Sequence, residues 1–258
     1  MNETFSFSRF ARLFVKHTAE HYRTYLMATG ILFGFLLLSG AFLSLVVGDA
    51  ADPAFQIASY VIMLFISGGL FTSSIFSDYG DTNSAVAALT LPATSFEKFL
   101  VGWLWSLPVF LVIYTAVFYL AVWGLSGLEF SAHGHSLQFF TLWQPQMVVP
   151  LVFFIEVHAL SLFGAIFFRK LQFIRTGFSF FLALALTFVL NTVFLKILTG
   201  VQVIKLAIPF GYLNFATGGR AYSVAVTQRT SLLILALMLV VAVGIWLAAY
   251  HRLKEKRI

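Results

Sequence analysis

S-D-Y-G-D-T-N-S-A-V-A-A-L-T-L-P-A-T-S-F-E-K-F-L, residues 77–100, is a long mixed polar and apolar stretch in a chain otherwise built from apolar runs. It carries its own start and stop signals. Asp81, Thr82 and Asn83 follow the breaker Gly80 and are good helix N-caps, and Pro92 ends the helix that 84–91 can form. Thr94-x-x-Glu97 then reads as a capping box, with Phe96, Phe99 and Leu100 opening the next apolar run. The stretch is therefore a short capped helix between two long apolar segments, although spacing alone fits an ordinary capped connection equally well.

Working outward, composition sets the class. With 60% hydrophobic and 10% charged residues in 258 positions, the chain has more apolar surface than a water-soluble domain can hide. An all-α integral membrane protein is expected. The chain has no cysteine, which excludes disulfides, thiolate metal sites and a cysteine nucleophile. The net charge of +6 comes from basic residues beside apolar runs, a pattern of membrane topology and not of nucleic-acid binding.

Residues 1–23 read as an amphipathic interfacial helix. Arg9, Arg12, Lys16, Glu20 and Arg23 share one face, while Phe7, Phe10, Phe14 and Thr18 share the other, with Leu13 as the exception. The basic face suits anionic headgroups and the phenylalanines suit the acyl boundary. A merely charged lead-in to the first span is the plainer alternative.

Six spans follow: 25–47, 55–76, about 99–123, 146–168, 177–198 and 230–250, each long enough for a hydrocarbon core of about 30 Å. A signal peptide ending near Gly48-Asp49-Ala50 is the rival for the first, but the apolar run is too long and its charged lead-in too extended. Gly30 and Gly34 form a G-x-x-x-G, continued by Gly40, Ser44 and Gly48, a face another helix can approach closely. Trp103, Trp105, Trp123, Trp143, Trp246 and Tyr250 lie near span ends, as aromatic belts do.

Six spans place both termini on one side, and the cations say which. Four lie in the N-terminal segment, one is Lys98, three are Arg169, Lys170 and Arg175, and four are in the C-terminal tail, twelve of the sixteen Lys and Arg. The opposite side has Lys205, Arg220 and Arg229, with Lys196 at a span end. The positive-inside rule makes the twelve-rich side cytoplasmic, so residues 77–98 face the cytoplasm. Residues 199–229 are too apolar for a plain loop yet broken by Pro209, Gly211 and Gly218-Gly219. They read as an outer re-entrant or interfacial segment, or as a loop on the lipid surface.

No catalytic site emerges from the motifs. There is no G-x-x-x-x-G-K-[ST], H-E-x-x-H or G-x-S-x-G. His133-Gly-His135, near Glu129, lacks the ligand spacing of a metal site. No two-fold internal repeat of the secondary-transporter kind is evident. Glu156 and His158 are ionisable residues near the middle of span four. An unpaired charge there costs about 2.5–3.5 kcal/mol, so Glu156 is expected to face protein or water, or to carry a proton. With Asn191 these two mark either a transport pathway or a buried hydrogen bond.

Asp78-Tyr-Gly80 and Leu89-Thr-Leu91-Pro92-Ala-Thr94-Ser95, set between spans two and three behind an N-terminal amphipathic helix, resemble an ABC-2 type transporter permease, the membrane subunit of a bacterial ABC exporter. The resemblance covers the whole chain in topology and residues 78–102 in motif. The family loop more often has Glu, Gly-Thr and two or three leucines where this chain has Ala85, Ala87 and Ala88. The tail Tyr250-His-Arg-Leu-Lys-Glu-Lys is similar to tails of bacterial members.

The resemblance implies one transmembrane domain over 1–258, a cytoplasmic coupling helix that docks into a separate ABC ATPase, and a re-entrant pair before span six. It also implies a second permease chain, as homo- or heterodimer, in the bacterial inner membrane, with ATP and Mg held by the ATPase and no cofactor or metal in this chain. On the coupling helix Val86 and Leu89 share a face and are the expected anchors, with Asp81 at the rim and Pro92 as the stop. Gly30 and Gly34 are the expected dimer-packing face. A non-transporting scaffold of the same fold is the alternative, and a membrane-embedded enzyme is a more distant one. Phe, Leu and Ser in the spans suit lipids, drugs, glycans or peptides alike.

Overall fold

The computed structural model describes residues 5–47, 53–75, 93–133, 139–168, 171–200, 202–203, 213–217, 220–224 and 228–255. Six helices among them are long and apolar enough to cross a membrane, making the chain a multi-pass helical membrane protein. Their bounds follow from local chemistry.

Helix α1, Phe7–Val47, runs unbroken for 41 residues. At about 1.5 Å per residue it is about 60 Å long, twice the hydrocarbon core. The expected break between an interfacial helix and span one is absent. No Gly or Pro occurs between Phe7 and Thr29, so nothing in the local sequence bends or stops the helix. Its N-terminal apolar face also meets protein: Phe10, Leu13 and Phe14 pack against a cluster formed by Phe99, Trp105, Leu162, Ile166 and Leu253. Phe14 stacks on Trp105 at 5.6 Å, whereas Phe7 is exposed.

Helix α2, Pro53–Ile75, starts with proline, whose missing N–H costs nothing in a first turn. Span three begins as α3, Ser95–Leu104, under the expected capping box. Thr94 Oγ1 accepts the Glu97 N–H at 3.2 Å, and Glu97 Oε2 accepts the Thr94 N–H at 3.0 Å. The helix then widens into a π turn, Trp105–Val109, where Pro108 has no N–H to give and the Phe110 N–H reaches back to the Trp105 carbonyl. Helix α4, Phe110–His133, resumes α geometry and extends ten residues beyond the expected end of the span.

A 3-10 turn, Pro145–Met147, leads into α5, Val148–Phe167. Helix α6, Gln172–Thr199, is introduced by Leu171 in the left-handed region (φ 52°) and closed by Gly200 (φ 64°), whose N–H caps the Lys196 carbonyl. Helix α7, Gln228–Glu255, is the last. Within 199–229, expected to form an outer re-entrant or interfacial segment or a loop on the lipid surface, the described residues after Gly200 are strands up to Val224. β1, Gln202–Val203, β2, Leu213–Thr217, and β3, Arg220–Val224, form an antiparallel sheet in the order β1-β2-β3. Thr217 pairs with Arg220 across Gly218-Gly219, a dipeptide suited to a two-residue hairpin connection.

Helix α5 is the central element. More than half of its span is buried, whereas none of α6 is. One core gathers Tyr60, Leu64, Tyr114, Phe118, Phe140 and Phe154. There Tyr114 donates to the Tyr60 carbonyl at 2.7 Å, and Tyr119 donates to the Phe140 carbonyl at 2.9 Å, tying the chain after the 134–138 segment to α4. The other core gathers Phe99, Val101, Trp105, Leu162, Ile166 and Leu253, and at the same end the exposed Phe96 ring meets Phe5 and Tyr250 edge to face, each at 5.9 Å. The first turns of α1, the start of α3 and the end of α7 thus share one end of the bundle, here the terminal end.

Candidate functional site

Two polar constructions stand out among the described residues. The first is at the terminal end. The carboxylate of Glu97 is fully buried, yet four donor nitrogens from three residues surround it. Its Oε2 takes the Thr94 N–H, and its Oε1 takes the Ser6 N–H at 2.8 Å and the Arg9 guanidinium at 3.1 Å from Nη2 and 3.4 Å from Nε. Sequence showed the capping half of this arrangement. The other half joins residues about ninety positions apart and carries no local signal, because Arg9 reads as one more cation on a basic face. The consequence is mechanical: α1 is fastened to the first turn of span three, immediately after residues 76–92.

The second construction lies inside the bundle, beside the π turn. His158 is fully buried on α5, between Ser106 on span three and Trp246 on α7. The indole N–H of Trp246 donates to His158 Nδ1 at 3.2 Å. An indole nitrogen only donates, so Nδ1 is the acceptor and the ring proton sits on Nε2. That Nε2–H meets Ser106 Oγ at 2.9 Å, and the hydroxyl hydrogen is used toward the Gly102 carbonyl at 2.7 Å. Each atom of the triad has a partner in one consistent arrangement. The imidazole is spent on joining three helices and has no lone pair left to act as a base.

The other expected residues do not join it. Glu156 precedes His158 by two positions, hence about 200° around the helix. It is half-buried, and its Oε1 is shielded from water without a hydrogen-bond partner among the described residues. Asn191 lies half-buried on α6. Among the described residues no hydrogen bond joins Glu156 to Asn191 or to His158. The hydrogen bonds of His158 run to Ser106 and Trp246, and neither Glu156 nor Asn191 is part of that triad among the described residues.

Among the described residues nothing packs on Gly30 or Gly34, since a Cβ added at either would have no atom within 4 Å. Close packing of α1 within the chain occurs further on, where Gly40 receives Leu125 and Gly124 receives Leu37. Asp81, Val86, Leu89 and Pro92 lie outside the described residues, as do His135 and the side chains of Glu129 and His133. Comparison with known protein families, with characterised proteins and with solved structures found no match.

Proposed function

We propose that this chain is the permease subunit of an ATP-binding-cassette exporter of ABC-2 type, working as a dimer of permease chains with separate ATPase subunits that hold ATP and Mg. The support is the loop motif of residues 78–102, read together with six candidate spans and a first helix that extends well beyond the bilayer thickness. The observation that carries the reading is the Glu97 clamp. Work done on residues 77–92 by a partner reaches span three through the segment that follows, and that segment is locked to the start of α1 by a buried, four-donor carboxylate. A push on the loop would thus move spans one and three as a unit.

The test uses the loop itself. Leu89→Asp puts a charge into the expected ATPase contact, outside the bilayer. Co-purification of the ATPase should fall at least about tenfold, the scale of a lost central contact, with membrane abundance unchanged. Leu37→Asp is the control: Leu37 packs toward Gly124 inside the bundle, so a charge there should reduce insertion. A Leu89→Asp protein that kept its ATPase and transported fully would reject the coupling role and return residues 77–98 to an ordinary connection.

A further inference from the structure

The two apolar cores part at one level of the bundle. On span three the terminal-end core stops at Trp105 and the other starts at Leu107; on α5 the corresponding limits are Leu162 and Phe154, and on α2 Ile75 and Leu64. Phe71, Trp103 and Trp246, all half-buried, border both. The Ser106–His158–Trp246 triad lies at this level. We infer that the level is a joint: the terminal-end half and the opposite half of the bundle bend against each other about it, and the triad is the latch that sets the angle.

The backbone is weakened where it crosses. Span three has its π turn, where Pro108 offers no N–H and the Phe110 N–H reaches the Trp105 carbonyl. Helix α2 has Gly68-Gly69, a pair of poor helix formers. Gly68 sits at the same height, since a Cβ there would meet the Phe154 ring at 2.5 Å and the Phe110 ring at 3.1 Å. On α1, Gly30 falls between Tyr25 and Leu32, which pack on opposite cores. Helix α7 gives buried residues, Ala249 and Leu253, to the terminal-end core alone, so it travels with that half. Helix α5 has neither Gly nor Pro between Phe154 and Leu162. It is the axle.

Hydrogen bonding at the level is incomplete. Four buried side-chain atoms have no partner among the described residues: Thr72 Oγ1, Ser73 Oγ, Trp105 Nε1 and Glu156 Oε1. All four fall within the limits given above. Buried polar atoms are ordinarily paired, so the present angle leaves bonds unmade that another angle can make. Against this the triad is fully bonded, holding α5 to span three at 2.9 Å and to α7 at 3.2 Å. Close-packed cores resist deformation. A bend at the boundary between them disturbs neither.

The joint belongs to the bundle alone, whichever partner acts on residues 77–92. The experiment is pulsed electron resonance on the full chain in lipid nanodiscs, with spin labels on cysteine pairs, for which a chain without native cysteine is suited. Val15 and Phe167 are exposed in the terminal-end half, Phe42 and Val149 in the other. Val15→Cys with Phe167→Cys, and Phe42→Cys with Val149→Cys, report within a half. Val15→Cys with Val149→Cys, and Phe42→Cys with Phe167→Cys, report across the joint. Trp246→Phe and Ser106→Ala each remove part of the latch and should move or split at least one crossing distance by more than about 2 Å, the scale of a simple helix shift. The same-half distances should stay fixed. Tyr114→Phe removes a hydrogen bond inside one core, to the Tyr60 carbonyl, and should move none of the four. Crossing distances unchanged in both latch variants would overturn the joint. So would same-half distances that change along with them, or a Tyr114→Phe protein that behaves like the latch variants.

Discussion

At the scale of single residues, the two buried polar constructions differ in what their loss should cost. The Glu97 carboxylate is wholly desolvated, so removing its cation leaves a charge held by backbone N–H groups alone. Arg9 is itself partly exposed, which moderates the effect. Arg9→Ala should destabilise by about 1–3 kcal/mol and Glu97→Gln by a similar amount. Because the two share one contact, the double variant should cost about 1 kcal/mol or more less than the sum. Thermal unfolding in detergent measures all three, and strict additivity would mean the ion pair is idle. The His158 triad is worth less than its burial suggests. Hydrogen bonds between membrane helices average about 0.6 kcal/mol, so Trp246→Phe, which removes one bond while keeping most of the ring, should cost about 0.5–1 kcal/mol. The proton on Nε2 is directly testable: imidazole ¹⁵N shifts of labelled protein should report the Nε2–H tautomer for His158, and the Nδ1–H form would reject the assigned chain from Trp246 to Ser106.

Elements raise a different issue, namely which small-residue faces are already occupied. Gly40 and Gly124 mark the close contact between α1 and α4, so Gly40→Leu should force apart a packed pair at about 1–3 kcal/mol. Gly34→Leu meets open space among the described residues and should leave the melting temperature of a monomer unchanged. If that face packs a second permease chain, the same substitution should lower the dimer fraction measured by mass in mild detergent. An unchanged dimer would move the interface elsewhere. Continuity of α1 makes a related point. Its amphipathic start was expected to lie flat on lipid, but the unbroken helix and the contact of Phe14 with Trp105 put that apolar stripe against span three.

For the whole molecule, the meeting of Phe5, Phe96 and Tyr250 gathers both terminal segments at one end of the bundle. The asymmetry of Lys and Arg, twelve against three, is the reason to expect that end on the cytoplasmic side. A native chain without cysteine allows a direct check. An impermeant thiol reagent added outside intact cells should label His133→Cys and spare Asn83→Cys. The reverse pattern would invert the chain and remove residues 77–98 from the side where an ATPase could reach them.

Hydropathy and length were enough to place the six spans, because a segment with no water around it must be a closed helix of sufficient length, and composition alone carries that constraint. The Thr94–Glu97 box was legible for the same reason, since capping depends on residues three apart. Long-range contacts were not. That Arg9 completes the site of Glu97, that His158 bridges Ser106 and Trp246 while Glu156 faces away, and that Gly40 instead of Gly34 is filled within the chain depend on which helix faces which. Apolar periodicity in a membrane is nearly blind to that choice, because lipid and a neighbouring helix look alike to a leucine. The strands before α7 escaped for a related reason: an apolar, glycine-broken segment carries no local sign of which stretches will pair, and the antiparallel register of Leu213–Thr217 with Arg220–Val224 exists only in the tertiary structure.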